Sequence, residues 1–157
     1  MRDDSLIDTP AFSWLVRAWN ERDNVLKFVS LFIPLEIATA GIKGAPRVPE
    51  HVLKELRRIV DENSVGDETL LAHLNSLIGN QANLSLIDRF EILAKKVQPN
   101  CWEDDVAAFK KFNKMRNNLV HRGDKTTSQL VTVGKEQVID LQILVEKYLL
   151  WKLVNES

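Results

Sequence analysis

The chain has 157 residues, 45% of them hydrophobic and 27% charged, with a formal net charge of -1. That length suits one domain with its own core, taken as residues 1–157, and the composition excludes a disordered chain. The near-neutral charge also excludes a polycation that coats nucleic acid, so any such contact has to come from a local basic patch.

The first residues, Met1-Arg2-Asp3-Asp4, have no apolar run behind a basic start and do not read as a secretory signal. Pro10 to Asn20 holds Phe12, Trp14, Leu15 and Trp19, which predicts a short helix or an ordered arm that packs its aromatics down. From Asp23 to Ala40 the run Val25, Phe28, Val29, Phe32, Ile33 has helical spacing, and Pro34 is expected to kink it. Val25 to Ile42 is the most apolar stretch, yet it carries Lys27, Pro34 and Glu36. A membrane span wants about 20 apolar residues nearly free of charge. The stretch therefore reads as a buried core helix, and the expectation is a cytoplasmic protein without membrane contact.

Gly41 and Gly44 end that helix, and Ala45-Pro46-Arg47-Val48-Pro49 forms a turn. Pro49 suits a first helical position, with Val52, Leu56, Ile59 and Val60 as the next apolar stripe. Asp67 is placed to cap a helix carrying Leu70, Leu71, Leu74, Leu77 and Ile78, expected to stop near Gly79. Ser85 with Asp88 resembles a capping box, and Leu86, Phe90, Leu93 and Val97 share one face of the helix behind it, which Pro99 ends. The next helix runs from about Trp102 or Asp104 to about Arg122, where Gly123 stops it. A loop from Asp124 to Gly134 follows, with a short extended piece at Val131 to Val133. The last helix spans about Lys135 to Val154 and turns Val138, Leu141, Val145 and Tyr148 inward. With no repeat or linker, the expected fold is an all-α bundle of about five to six helices joined by short loops.

The stretch from Phe109 to Gly123 carries the chemistry. On a helix, Ala108, Phe112, Met115 and Leu119 fall on one stripe, read as the core face. Lys110, Lys114, Asn117 and His121 fall on the other side. With Lys111, Arg122 and Lys125 they make a basic footprint of the kind that attracts phosphate, opposed nearby only by Asp124. His121 sits in the last turn, where the helix dipole favours imidazolium, and a titratable imidazole beside cations and amides suits acid–base catalysis. The guanidinium of Arg116 matches phosphate oxygens and can stabilise transition-state charge. Asn117, one turn before His121, can orient the imidazole or bind phosphate. The same residues also fit plainer roles: a solvated lysine face, a histidine that caps a helix end, and an arginine that serves a structural ion pair.

Arg116-Asn117-Asn118-Leu119-Val120-His121 resembles the Arg-x4-6-His motif of HEPN domains, with a polar residue directly after the arginine. The surroundings are similar too. A helix with aromatics leads into the motif, Arg122-Gly123 follows it, and a long apolar C-terminal helix comes next. The segment from about Leu84 to Leu150 looks like the second half of such a domain, and Leu31-Phe32-Ile33-Pro34-Leu35-Glu36 resembles the first helix of many members. The resemblance implies a helical homodimer and metal-independent endoribonuclease activity, with Arg116 and His121 catalytic and Asn117 in support. Lys110, Lys114 and Arg122 then bind RNA. It implies the role of a toxin or antiviral effector, with an antitoxin or another defence protein as a possible partner. It leaves open a second role, a non-catalytic helical module for dimerisation and for binding nucleotide, RNA or protein. Many HEPN toxins paired with a nucleotidyltransferase carry a tyrosine two residues after the histidine; here Gly123 stands there, so the chain looks closer to HEPN domains of abortive-infection proteins.

Arg116 and His121 stand five residues apart, which on a regular helix turns them about 140° from one another. A second chain completing the site is one remedy; a loosened helix end or the reach of the arginine are others. Elsewhere, Glu36 in its apolar helix needs a partner, either Arg116 or another cation, with a structural pair away from any site as the plainer expectation. His51 and Glu55 are one turn apart but have no further His or Cys cluster, and no glycine-rich phosphate loop is present, so no metal or cofactor is expected. His73 reads as a surface residue and Cys101, unable to form an internal disulfide, as a packed thiol in a reducing compartment. Trp14, Trp19, Trp102 and Trp151 read as core or interface anchors.

Overall fold

The structure, a computed structural model, describes residues 9–44, 48–63, 66–120 and 133–156, apart from the side chains of residues 80–82. Among the described residues there are eight helices and no strands: α1 (Pro10–Asn20), α2 (Asn24–Ser30), α3 (Phe32–Thr39), α4 (Glu50–Asn63), α5 (Glu68–Ala82), α6 (Leu86–Val97), α7 (Trp102–Val120) and α8 (Lys135–Asn155). The all-α expectation holds, but the helices outnumber the five to six expected. The Asp23–Ala40 helix is two helices, and Pro10–Asn20 is a full helix rather than an arm.

Local chemistry accounts for the boundaries. Thr9 caps α1 by accepting the Phe12 amide at 3.4 Å, and Pro10 takes the first position, where its missing N–H costs nothing. Asp23 caps α2 through the Leu26 amide. The break at Leu31 follows from Pro34, which cannot donate to the carbonyl of Ser30 and whose ring crowds that carbonyl. Ser85 and Asp88 form the expected capping box: the Ser85 amide donates to Asp88 Oδ2 at 3.0 Å, and the Asp88 amide donates to Ser85 Oγ at 3.2 Å. Gly79 does not stop α5, which runs on to Ala82. A glycine ends a helix when it takes the left-handed conformation, and among the described glycines only Gly66 has a positive φ, 98°.

The core is built by α1–α3 and α6–α8. Phe28, Phe32, Phe109, Phe90 and Tyr148 form a continuous row of rings, with successive centroids 5.6, 5.6, 4.2 and 4.8 Å apart. All five are at most 1% exposed, and Leu15, Leu31, Leu35, Leu93, Leu141 and Val145 close round them. In α1 the fully buried residues are Leu15 and Ala18. The aromatics flank them instead: Phe12 lies edge-on to Trp19, and the Trp19 indole donates to Glu146 Oε1 of α8 at 2.8 Å. A hydrogen-bonding ring edge is better placed at the rim than in the centre. In α8 the buried set Val138, Leu141, Leu144, Val145, Tyr148 and Leu149 repeats at helical spacing, as expected, while Ile139, Ile143, Leu150 and Val154 stay exposed.

Helices α4 and α5 pack chiefly on one another. Leu53 is the one buried residue described in α4, and Val52, Leu56, Ile59, Leu70 and Leu77 are all more than one-third exposed. The hairpin leaves the body after Gly44 and returns at Leu84. A Cβ built on Gly44 would lie 3.2 Å from Leu84 Cδ1 and 2.9 Å from Ile92 Cδ1, so a larger residue there would need those two terminal methyls to shift. None of the described helices is long and apolar enough to cross a membrane.

Candidate functional site

Helix α7 carries three acidic residues in its first turn, Glu103, Asp104 and Asp105, which complement the positive end of its dipole. Its buried stripe is rotated from the expected one. Val106 and Phe109 are the fully buried residues, whereas Ala108, Phe112, Met115 and Leu119 are only partly buried, at the margin. Continuing the Val106–Phe109 line along the helix brings Arg116 to the inward side, not an apolar residue.

Arg116 meets α3 there. Its Nη1 donates to Glu36 Oε1 at 2.6 Å, and its guanidinium carbon stands 4.6 Å from the centre of the Phe32 ring. The Arg116 side chain is 21% exposed and that of Glu36 44%, so the pair lies at the rim of the core with water on one side. Phe32 and Glu36 are one turn apart on α3 and so present ring and carboxylate on one face. Sequence reasoning weighed the pairing of Glu36 with Arg116 against a pair elsewhere, and it is Arg116. The stacking on Phe32 was not foreseen, since no signal in the α7 segment points to a ring 84 positions earlier (116 − 32).

Lys110, Lys114 and Asn117 are exposed and lie within about 60° of one another around α7, as expected. Neither these lysines nor Lys111 makes an ion pair among the described residues. Arg116 points about 100–160° away from Lys110, Lys114 and Asn117. One copy of α7 thus presents two separate features, a basic face and an anchored guanidinium. His121 and Arg122 lie outside the described residues, as do Gly123, Lys125 and the first two residues of the extended piece expected at Val131 to Val133; Val133 is buried. Asn113, one turn before Asn117, holds its Oδ1 buried with no hydrogen-bond partner among the described residues.

A second polar cluster, missed from sequence, ties α7 to α8. Asp105 Oδ2 accepts from Tyr148 Oη at 2.6 Å and from Lys147 Nζ at 2.7 Å. Burial first, and then the Asp105 carboxylate, push the Tyr148 hydroxyl far above its ordinary value, so it stays a neutral donor. Beside it, Ala108, Phe112, Ile143 and Leu144 line an open groove of about 300 Å³ rimmed by Asp105, Asp140 and Lys147.

The remaining candidates resolve simply. His51 and His73 are exposed, and Glu55 is engaged by Arg58, whose hydrogen bond lowers the Glu55 carboxyl below its ordinary value. Among the described residues no group of three or more His, Cys, Asp or Glu is placed to hold a metal ion. Cys101 is exposed, not packed, because it sits in the turn before α7, where its thiol contacts Gln98 Oε1 at 3.1 Å. Trp102 and Trp151 are half-buried under Lys95 and Lys96. No family model, no curated protein and no solved structure matches this chain.

Proposed function

We propose that this chain is a metal-independent endoribonuclease of the HEPN kind, working as a homodimer in a toxin or antiviral role. The observation that carries the proposal is Arg116 and Asn117 in the last two turns of the 19-residue α7, with His121 next in sequence after that helix, beside three lysines with no ion pair and in a fold that is all-helical among the described residues. Lys110 and Lys114, with Arg122, attract the phosphate backbone. The ribose 2′-hydroxyl gives its proton to one His121 and attacks the adjacent phosphorus. The bond to the 5′-oxygen breaks, and the His121 of the second chain protonates that leaving oxygen. The products are a 2′,3′-cyclic phosphate and a 5′-hydroxyl. Arg116 carries the charge that builds on the phosphate oxygens, and DNA is refused for want of the 2′-hydroxyl. The turn of about 140° between Arg116 and His121 on a regular helix favours a site shared between two chains. The exposed row Ile139, Ile143, Leu150 and Val154 on α8 offers apolar surface for such a contact. An antitoxin or another defence protein is the matching partner.

The test is labelled single-stranded RNA incubated in EDTA with the wild-type protein and with an Arg116→Ala, His121→Ala double variant. Cleavage by the wild type alone, leaving cyclic-phosphate ends, is the expected outcome. A monomer with full activity overturns the shared site. A second reading, a non-catalytic helical binding module, is favoured by one observation: Arg116 already has a carboxylate partner, as a structural arginine has. RNA binding without cleavage supports that reading.

A further inference from the structure

We infer that Glu36 is a positioning residue, one that holds the Arg116 guanidinium in place for the phosphate while leaving most of its donors free. The inference rests on the ribonuclease reading above. Phe32 and Glu36, one turn apart on α3, act as a two-point clamp on a side chain from α7: the guanidinium carbon lies over the ring and the carboxylate takes one N–H. Phe32 is 1% exposed and belongs to the row of core rings, so the clamp is anchored in the buried core. An arginine has five N–H donors. The Glu36 contact is the one hydrogen bond Arg116 makes among the described residues, so the rest of the fork can take two oxygens of a phosphate.

A fully structural arginine would have its donors satisfied and its partner buried. Here the Glu36 side chain is 44% exposed, and the pair stands where an anion can reach it. The carboxylate also has an electrostatic cost for binding, since it sits beside the arriving phosphate and repels it. A positioning residue of this kind raises the rate of the chemical step without raising ground-state affinity. Removing it therefore has opposite consequences for the two quantities: turnover falls, and RNA binding does not weaken.

The experiment compares wild-type protein with Glu36→Gln, which keeps the length and an acceptor oxygen, and with Glu36→Ala, which loses both. Single-turnover cleavage of one labelled single-stranded RNA gives the rate. The affinity for the same RNA is measured with each substitution placed in a His121→Ala background. Thermal melting gives the folded fraction. The expected rates, per folded molecule, fall roughly tenfold for Gln and roughly hundredfold for Ala, the scale of a catalytic group misplaced by about 1 Å. The dissociation constants stay equal to wild type or become smaller. A wild-type rate per folded molecule in both variants overturns the inference and leaves a structural ion pair. So does a loss of affinity that accounts for the loss of rate. If the Ala variant does not fold, the isosteric Gln variant decides alone. A wild-type protein that cleaves no RNA overturns the ribonuclease reading itself and this inference with it; an active wild type with unchanged Glu36 variants overturns this inference only.

Discussion

The body of the molecule and the α4–α5 hairpin are written in the same alphabet but stand in different surroundings. Both carry apolar residues at helical spacing. In the body those stripes converge on one row of aromatic rings, all at most 1% exposed, whereas in the hairpin Val52, Leu56 and Ile59 keep more than one-third of their surface in contact with solvent. Periodicity states that a helix has an apolar face. It does not state what that face meets. A helix owes most of its stability to tertiary packing, so the two regions differ in energetic weight.

The largest effect that sharpens this contrast is expected from Phe109→Ala. Phe109 is fully buried and touches the rings of Phe32 and Phe90, so the substitution leaves a cavity at the centre of the row. A loss of about 3–5 kcal/mol in denaturant unfolding is expected. A loss under about 1 kcal/mol would break the contrast, since the body would then be no better packed than the hairpin.

Tyr148→Phe comes next. It removes the donor to Asp105 Oδ2 and leaves that carboxylate to Lys147 alone, at a cost of about 1–2 kcal/mol near neutral pH. The cost has a pH signature. Burial and Asp105 raise the Tyr148 hydroxyl above its ordinary value, whereas in the unfolded chain it ionises near pH 10. Its contribution is therefore complete below about pH 10 and declines as pH rises above it, because only the unfolded state gives up the proton. Urea midpoints at pH 9 and pH 11 should fall further for wild type than for Tyr148→Phe. Equal slopes would show that the hydroxyl is not held neutral.

The smallest effect is expected from Leu56→Ala on α4. At 40% exposure the side chain is only partly covered, and a loss of about 1 kcal/mol or less is expected from the same unfolding curves. A cost near that of Phe109→Ala would mean that the hairpin face is covered in solution.

Features governed by neighbours in sequence were legible in advance. The Ser85–Asp88 box, the break caused by Pro34 and the inward set of α8 all depend on contacts within one or two turns. The phase of α7 was not. Ala108, Phe112, Met115 and Leu119 are the one unbroken apolar row, so periodicity settles on them, while the true inward line runs from Val106 and Phe109 to a charged residue. An arginine on a core-facing stripe is intelligible only beside its carboxylate, and that carboxylate lies 80 residues away. The exposed α4 stripe has the same origin: its local pattern is that of a core helix, but α4 packs chiefly on α5 alone, whereas each body helix meets at least two others. Within the candidate site, the exposure of Lys110, Lys114 and Asn117 was readable from the wheel of α7, and the clamp on Arg116 was not.

The close approach of Gly44 to Leu84 has a consequence for how this chain is assembled from parts. The point where the hairpin departs and the point where it rejoins are in touch, and α3 and α6, the body helices on either side, pack on each other directly. Topologically the hairpin is a detachable excursion: the body closes over its own gap, and a few-residue bridge from Gly44 to Leu84 would preserve its connectivity. Such a segment can be shortened without removing any part of the Phe32–Glu36–Arg116 arrangement, which lies wholly on α3 and α7.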